Sequence, residues 1–249
     1  MKQDLKQEAM LEIKAFNELV YNNNNAYFEK LVKDMIPFLC NHLNAYIHSH
    51  VQFFKPIQAN ELIYRCRNTN EKLDTSKFSE FTAPEVKFTK DLRMSRKGTS
   101  YFYGALDDDT AKIEAIDPNR KYQYLATFST KKELILFDLA VNNIKTDENN
   151  DEVTTIAKYF LQEYAQYISL PNDDPDQYLP TQVITHFLKN CVRQHLSDGT
   201  TQNIDGIMYI SSKTHKYNVV LFYDNNTSDD ILNLVSAEIV NEKNEMQRS

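Results

Sequence analysis

RMSRKGTSYFYGALDDDTAKIE, residues 93–114, is the stretch on which the reading of the chain turns. It leads from a basic segment through YFYGA (101–105), aromatic enough for a short strand, into DDDTAKIEAI (107–116). There an acidic start followed by apolar Ala111, Ile113 and Ile116 predicts a helix with an Asp near its N-cap, where a carboxylate satisfies free backbone N–H groups. The basic segment, Lys87 to Lys97, sets Lys87, Lys90, Arg93, Arg96 and Lys97 against one acid, Asp91. In a chain of net charge −7 such an island suits a small, discrete anion, and it equally suits a solvated charged loop. The chain has only four glycines in 249 residues, Gly98, Gly104, Gly199 and Gly206, against roughly 7% in average usage. A sequence so sparing with glycine keeps it where no Cβ fits. Asn-rich loops such as Asn22–Asn25 and Asn225–Asn226 are then expected to make turns, because Asn tolerates the left-handed region.

Working outward, apolar stripes at helical spacing cover residues 3–21 and 26–48, with Pro37 expected to kink or break the second. Residues 1–50 therefore read as a helical N-terminal extension, and 51–249 as the main domain. ELIYRCR (61–67) reads as a strand, 68–92 as a long, partly ordered loop, and ELILFDLA (133–140) as a buried strand. Residues 152–169 form an amphipathic helix, and QYLPTQVITHFLKN opens another with Pro180 in its first turn. DGIMYI (205–210) and YNVVLFY (217–223) read as a strand pair around SSKTHK, while Ile231–Val240 fits either helix or strand. The pattern is α+β: a mixed sheet core with flanking helices and an N-terminal helical extension.

Composition excludes several classes. The chain has 28 Lys plus Arg against 35 Asp plus Glu, a balance that repels nucleic acid. No apolar run reaches the ~20 residues of a membrane span. The start, MKQDLKQEAMLEIK, has no apolar signal core, so a cytoplasmic protein is expected. Cys40, Cys66 and Cys191 are too few and too scattered for a disulfide framework or a zinc site. Neither glycine-rich phosphate loop is present, nor is HExxH or GxSxG. His42, His48 and His50 read as solvated, and His186 and His195 have no paired ligand, so no metal is expected.

Four pieces remain in order: IYRCR, RMSRKGTSYFYGALDDDTAKIE, YLPTQ and DGIMYISSKTHKYNVVLF. Together they resemble the RES domain, over residues 60–223. That family carries an early Y-R-x-R strand, a block R-M-x-x-x-G-x-x-Y-x-Y-x-A followed by T-A and Glu, then Y-x-x-T-Q and G-I-x-Y-x-S before an apolar strand ending in Phe. The resemblance implies a fold related to ADP-ribosyltransferases. It also implies cleavage of NAD⁺ by hydrolysis or phosphorolysis, with phosphate as the co-substrate in the second case. Such proteins act as toxins that deplete NAD⁺ and are held by a small helix-turn-helix antitoxin, and a homo-oligomer is compatible with this. Carried over by position, Arg65, Glu114 and Ser211 match the family's Arg, Glu and Ser. Tyr103 matches the aromatic before Thr-Ala, and Arg93 and Gly98 match the start of the block. Arg96-Lys97 stands where many members have a shorter apolar or Pro-containing step, and Ser211-Ser212 leaves open which serine acts.

The residue types suit the chemistry. Cleaving the nicotinamide–ribose bond passes through an oxocarbenium-like cation, so the site must hold a pyrophosphate and set negative charge beside the ribose. Arg65 offers a bidentate fork for phosphate oxygens, and Ser211 a hydroxyl for the same group. Glu114 would accept from a ribose hydroxyl and stabilise the cation, and Tyr103 would stack or hydrogen-bond. Gly98 and Gly104 would let backbone approach the ligand. Arg67, Arg93 and Gln182 divide evenly between binding and structural roles, and Arg93, Arg96 and Lys97 form a possible anion funnel. Two rival readings are transfer of ADP-ribose to a macromolecule and a non-catalytic module that keeps the fold. The carboxylate speaks against the second.

Overall fold

A computed structural model describes residues 2–22, 28–44, 47, 53–140, 152–169 and 177–243. The readings of His48, His50 and Asn23–Asn25 fall outside these residues, as does the side chain of His42. The two N-terminal stripes become α1 (Lys2–Asn22) and α2 (Phe28–Leu39). Pro37 does not end α2, which runs two residues further and passes into a π-helical turn at Cys40–Asn44.

The described chain forms two compact units. The first takes Met1–Lys55, Lys90–Lys97 and Phe137–Ile204. It holds α1, α2, α5 (Glu152–Ser169), α6 (Leu179–Cys191) and a small hairpin of β6 (Arg193–His195) and β7 (Thr201–Asn203). Phe16 of α1 centres its core, stacked 5.7 Å from Phe38 and edge-on 5.3 Å from Phe160. Pro180 lies in the first turn of α6, where its missing N–H is no loss.

The second unit takes Pro56–Thr89, Gly98–Leu136 and Asp205–Ser249. Its strands are β2 (Leu62–Thr69), β3 (Phe102–Ala105), β4 (Tyr122–Thr130), β8 (Gly206–Ile210), β9 (Tyr217–Leu221) and β10 (Leu232–Glu242). Two more, β1 (Phe54–Ile57) and β5 (Leu134–Asp138), straddle the division between units. The sheet runs β1-β5-β8-β9-β3-β2-β4-β10. The stretch that fitted helix or strand is β10, antiparallel to β4 with two register shifts. Within 68–92 the chain makes only α3 (Phe78–Phe81) and a 3-10 turn at Val86–Phe88. This is the expected α+β arrangement with flanking helices.

Strand alternation gives the sheet two faces. Ile63, Phe102, Tyr124 and Phe128 turn one way and, with Phe81 of α3, build the main core. Tyr64, Ala105 and Leu125 turn the other way, where they receive the short helix α4 (Asp108–Glu114) through Ala111. Pairing of β2 with β4 runs its full length, Leu62 opposite Ser129 to Thr69 opposite Tyr122. Pairing of β2 with β3 is a single registered pair, Tyr64 opposite Ala105, so these strands part beyond Tyr64.

The Asn225–Asn226 turn forms as expected, but without left-handed asparagines. Among the described residues the left-handed non-glycine positions are Asn60 (φ 68°) and His215 (φ 57°). The Asn225–Asn226 turn is held instead by Asp224 Oδ1, which accepts from the N–H groups of Asn226 and Thr227 at 2.9 Å. Gly104 is required by the sheet itself. A Cβ there would lie 2.8 Å from the Tyr64 carbonyl oxygen and 2.9 Å from the Phe102 ring. Gly104→Ala should therefore destabilise the protein by about 1–3 kcal/mol, the usual cost of overpacking. Urea unfolding of the variant checks this, and an unchanged midpoint would mean that β3 shifts freely.

Candidate functional site

The site grows from α4. Asp107 caps it, accepting from the Thr110 N–H at 3.0 Å. Burial raises the Asp107 carboxyl, but hydrogen bonds from Thr110 and Lys216 outweigh it and hold the group below its ordinary value. Asp107, Thr110 and Glu114 are spaced i, i+3, i+7 and so share a helix face. Each meets the loop between β8 and β9. Asp107 Oδ1 pairs with Lys216 Nζ at 3.0 Å, and Thr110 Oγ1 meets Thr214 Oγ1 at 2.8 Å. Glu114 closes the seam.

Three groups converge on the half-buried Glu114 carboxylate. Ser211 donates its hydroxyl to Oε1 at 2.5 Å, and Asn218 Nδ2 donates to the same oxygen at 3.0 Å. Lys213 Nζ lies 3.5 Å from Oε2 and 3.4 Å from the Glu114 carbonyl. The lysine is about half exposed, so its pairing is worth little by itself. Ser211 is 1% exposed and its bonding capacity is full. Its one hydrogen goes to Glu114, and its oxygen accepts from the N–H groups of Lys213 and Thr214 at 3.1 and 3.2 Å. Ser211 thus acts on Glu114 and has no hydrogen left for a pyrophosphate. Ser212 is exposed, and of the two serines it is Ser211 that bonds Glu114.

Arg65 stands where β2 and β3 part. Its Nη1 donates to the Tyr103 carbonyl at 2.5 Å, which ties the guanidinium to β3. Its Cζ lies 5.5 Å from the Phe102 ring centroid. Nε is buried without a hydrogen-bond partner, and among the described residues that carbonyl is the only group the guanidinium bonds. Burial and the neighbouring Arg67 lower its pKa to about 10, which leaves it charged at neutral pH. An arginine has five donors, and a buried donor left unmet costs free energy, so this one is suited to an anionic ligand. Tyr103 is half-buried on β3, on the same face as Ala105.

The remaining candidates have other occupations. Arg67 donates to the Glu80 carbonyl and pairs with its carboxylate at 3.0 Å, tying β2 to α3. In the first unit, Arg93 Nη1 donates to the carbonyls of Tyr167 and Ile168 at the end of α5, a cation where the helix dipole favours one. Arg96 lies 5.0 Å from the Phe28 ring and 3.9 Å from Asp91, and Lys87 pairs with Glu85 at 2.8 Å. The basic island is therefore largely engaged locally. Gln182 Nε2 donates to the Leu92 carbonyl at 2.8 Å, and Thr181 bonds the Arg93 carbonyl. YLPTQ thus fixes the loop that begins the RMSR block. Gly98 adopts φ +94° and donates to Thr89 Oγ1 at 2.8 Å, and Gly104 serves the strand contact described above. Burial pushes the Cys66 thiol up to about 12, so it packs beside α4 rather than reacting.

Sequence reasoning missed Asn218 and Lys213. Asn218 carried a signal, a lone amide in the apolar run YNVVLF, and Asn is depleted in strands. The sequence model of one family, the RES domain, matches residues 62–237. The chain belongs to the RES domain family. No curated protein and no solved structure matches it. The match begins with β2, which carries Arg65, and ends within β10, so it includes Glu114, Ser211 and Asn218. Among the described residues no helix is long and apolar enough to cross a membrane, and no group of three His, Cys, Asp or Glu is placed to hold a metal.

The two serines give a direct prediction. Ser211→Ala removes a donor from Glu114 and leaves two loop N–H groups without an acceptor, so it should cost about 1–3 kcal/mol. Ser212→Ala should stay within about 0.5 kcal/mol of the parent, as exposed substitutions do. Thermal unfolding of both variants checks this, and equal losses would remove Ser211 from its assigned role.

Proposed function

We propose that this RES-family protein binds NAD⁺ and breaks its nicotinamide–ribose bond. The observation that carries the reading is a carboxylate oriented by two neutral donors, in the same unit as an arginine whose buried Nε has no partner. The arginine fork suits a pyrophosphate, and the carboxylate suits a developing ribose cation. The C1′–N bond breaks with its electron pair passing to the pyridinium nitrogen, and neutral nicotinamide leaves. The ribosyl cation, electrostatically stabilised by Glu114, is then taken by water, which releases a proton, or by phosphate. Ser211 and Asn218 keep Glu114 in place, and Tyr103, whose side chain lies on the sheet face of Ala105 and α4, offers a ring or phenol to the ligand.

On this reading the protein acts in the cytoplasm as a toxin that depletes NAD⁺, restrained by a small helix-turn-helix antitoxin. NAD⁺ is consumed as substrate, with no further cofactor.

Incubating the purified protein with NAD⁺, with and without phosphate, and identifying the products tests the reaction. Free ADP-ribose marks hydrolysis, and its 1-phosphate marks phosphorolysis. Absence of released nicotinamide under both conditions would overturn the reading. Glu114→Gln should fold normally and lose on the order of 10²–10³ in rate, as when one preorganised electrostatic contact is removed. Near-parental turnover by the folded variant would remove Glu114 from the mechanism. Arg65→Lys keeps the charge and loses the fork, so calorimetric titration should show weaker NAD⁺ binding at low and at high salt. Unchanged affinity with a lower melting temperature would make Arg65 a structural residue.

A further inference from the structure

We propose that Asn218 is a positioning residue for this reaction, one that anchors Glu114 by a single oxygen, Oε1, and leaves Oε2 to face the substrate ribose. The proposal rests on the NAD⁺ reading for its substrate and on the structure for its geometry. Asn218 is 4% exposed on β9, in register between Ala105 of β3 and Tyr209 of β8, and is followed by the fully buried Val219, Val220 and Leu221. Its amide lies in an otherwise apolar strand and donates to Oε1 at 3.0 Å. Ser211 meets the same oxygen at 2.5 Å. The side chain opposite is only a methyl group, Ala105, which together with Ala111 lets α4 settle close enough for Glu114 to reach the strand.

Both neutral donors thus fall on one oxygen. Among the described residues the other oxygen meets only Lys213, a half-exposed ammonium at 3.5 Å. The choice of an amide follows from the chemistry. A neutral donor fixes a carboxylate while leaving its charge, whereas a buried cation at the same place would cancel the field that the ribose cation needs. Lys213, reached by solvent and weakly held, can move aside when a ligand hydroxyl arrives at Oε2.

The test uses Asn218→Asp, which keeps the shape but sets a second carboxylate against Oε1, and Asn218→Leu, which removes the donor. The Glu114 carboxyl is followed by carbon-13 NMR, its resonance assigned by loss in Glu114→Gln. Other charged and titratable groups around it stay as they are. They are Lys213 and the Asp107–Lys216 pair at the loop, the Asp108–Lys112 pair on α4, Tyr64 and Cys66 on β2, Tyr103 on β3 and Tyr209 opposite Asn218 on β8.

In Asn218→Asp the Glu114 titration midpoint should rise by about one unit or more, because a like charge disfavours ionisation. Both variants should lower kcat for NAD⁺ at least about tenfold while KM stays within about threefold, the pattern of an interaction that matters in the transition state. A midpoint unmoved in Asn218→Asp, or parental kcat in either folded variant, overturns the proposal. If Asn218→Asp does not fold, Asn218→Leu decides through the same two readouts, since a carboxylate that loses a donor also titrates higher. Should the parent protein release no nicotinamide, the NAD⁺ reading falls. The carbon-13 titration then decides the Asn218 contact by itself.

Discussion

The site depends on a seven-residue helix being held against the loop between two strands. Alone, α4 is far too short to be stable in water. It persists because Asp107 caps its start, Ala111 packs it on Ala105 and Leu125, and three successive side chains of one face bond the β8–β9 loop. The last of those side chains is Glu114, so the seam that stabilises the helix also aims its carboxylate. Loosening any rung of the seam would release the group on which the chemistry rests.

Arg65 meets a different constraint. The pairing of β2 with β4 is continuous while its registered pairing with β3 is confined to Tyr64 and Ala105, and the guanidinium lies next to that pair. A Tyr103 carbonyl takes one donor, and a buried Nε waits without a partner. A buried donor left unmet is unfavourable, and under the proposed function a phosphate oxygen would relieve that cost.

Much of this was legible in the sequence where local chemistry decides structure. The Asp-rich start of α4, Pro180 in the first turn of α6 and the strands of IYRCR and YFYGA follow from capping, fixed φ and aromatic content. Strand β4, Tyr122–Thr130, was not anticipated. In KYQYLATFST polar and apolar residues mix closely, and its place between β2 and β10 comes from long-range pairing rather than local preference. Glu114 and Ser211 were legible only through a family pattern. The pattern did not reveal that they bond each other, which commits the Ser211 hydroxyl hydrogen to the carboxylate. Arg93 misled for a simple reason: a charge run does not show which cations already have carbonyl partners.

If NAD⁺ is the substrate, one ligand spans Arg65 and Glu114, and a crystal structure of Glu114→Gln grown with NAD⁺ would display it. The pyrophosphate should then lie on the remaining donors of Arg65. The nicotinamide ribose should lie within hydrogen-bond distance of the residue 114 side chain, on the atom opposite the one held by Ser211 and Asn218. NAD⁺ bound away from both residues, or a ribose turned from position 114, would contradict it.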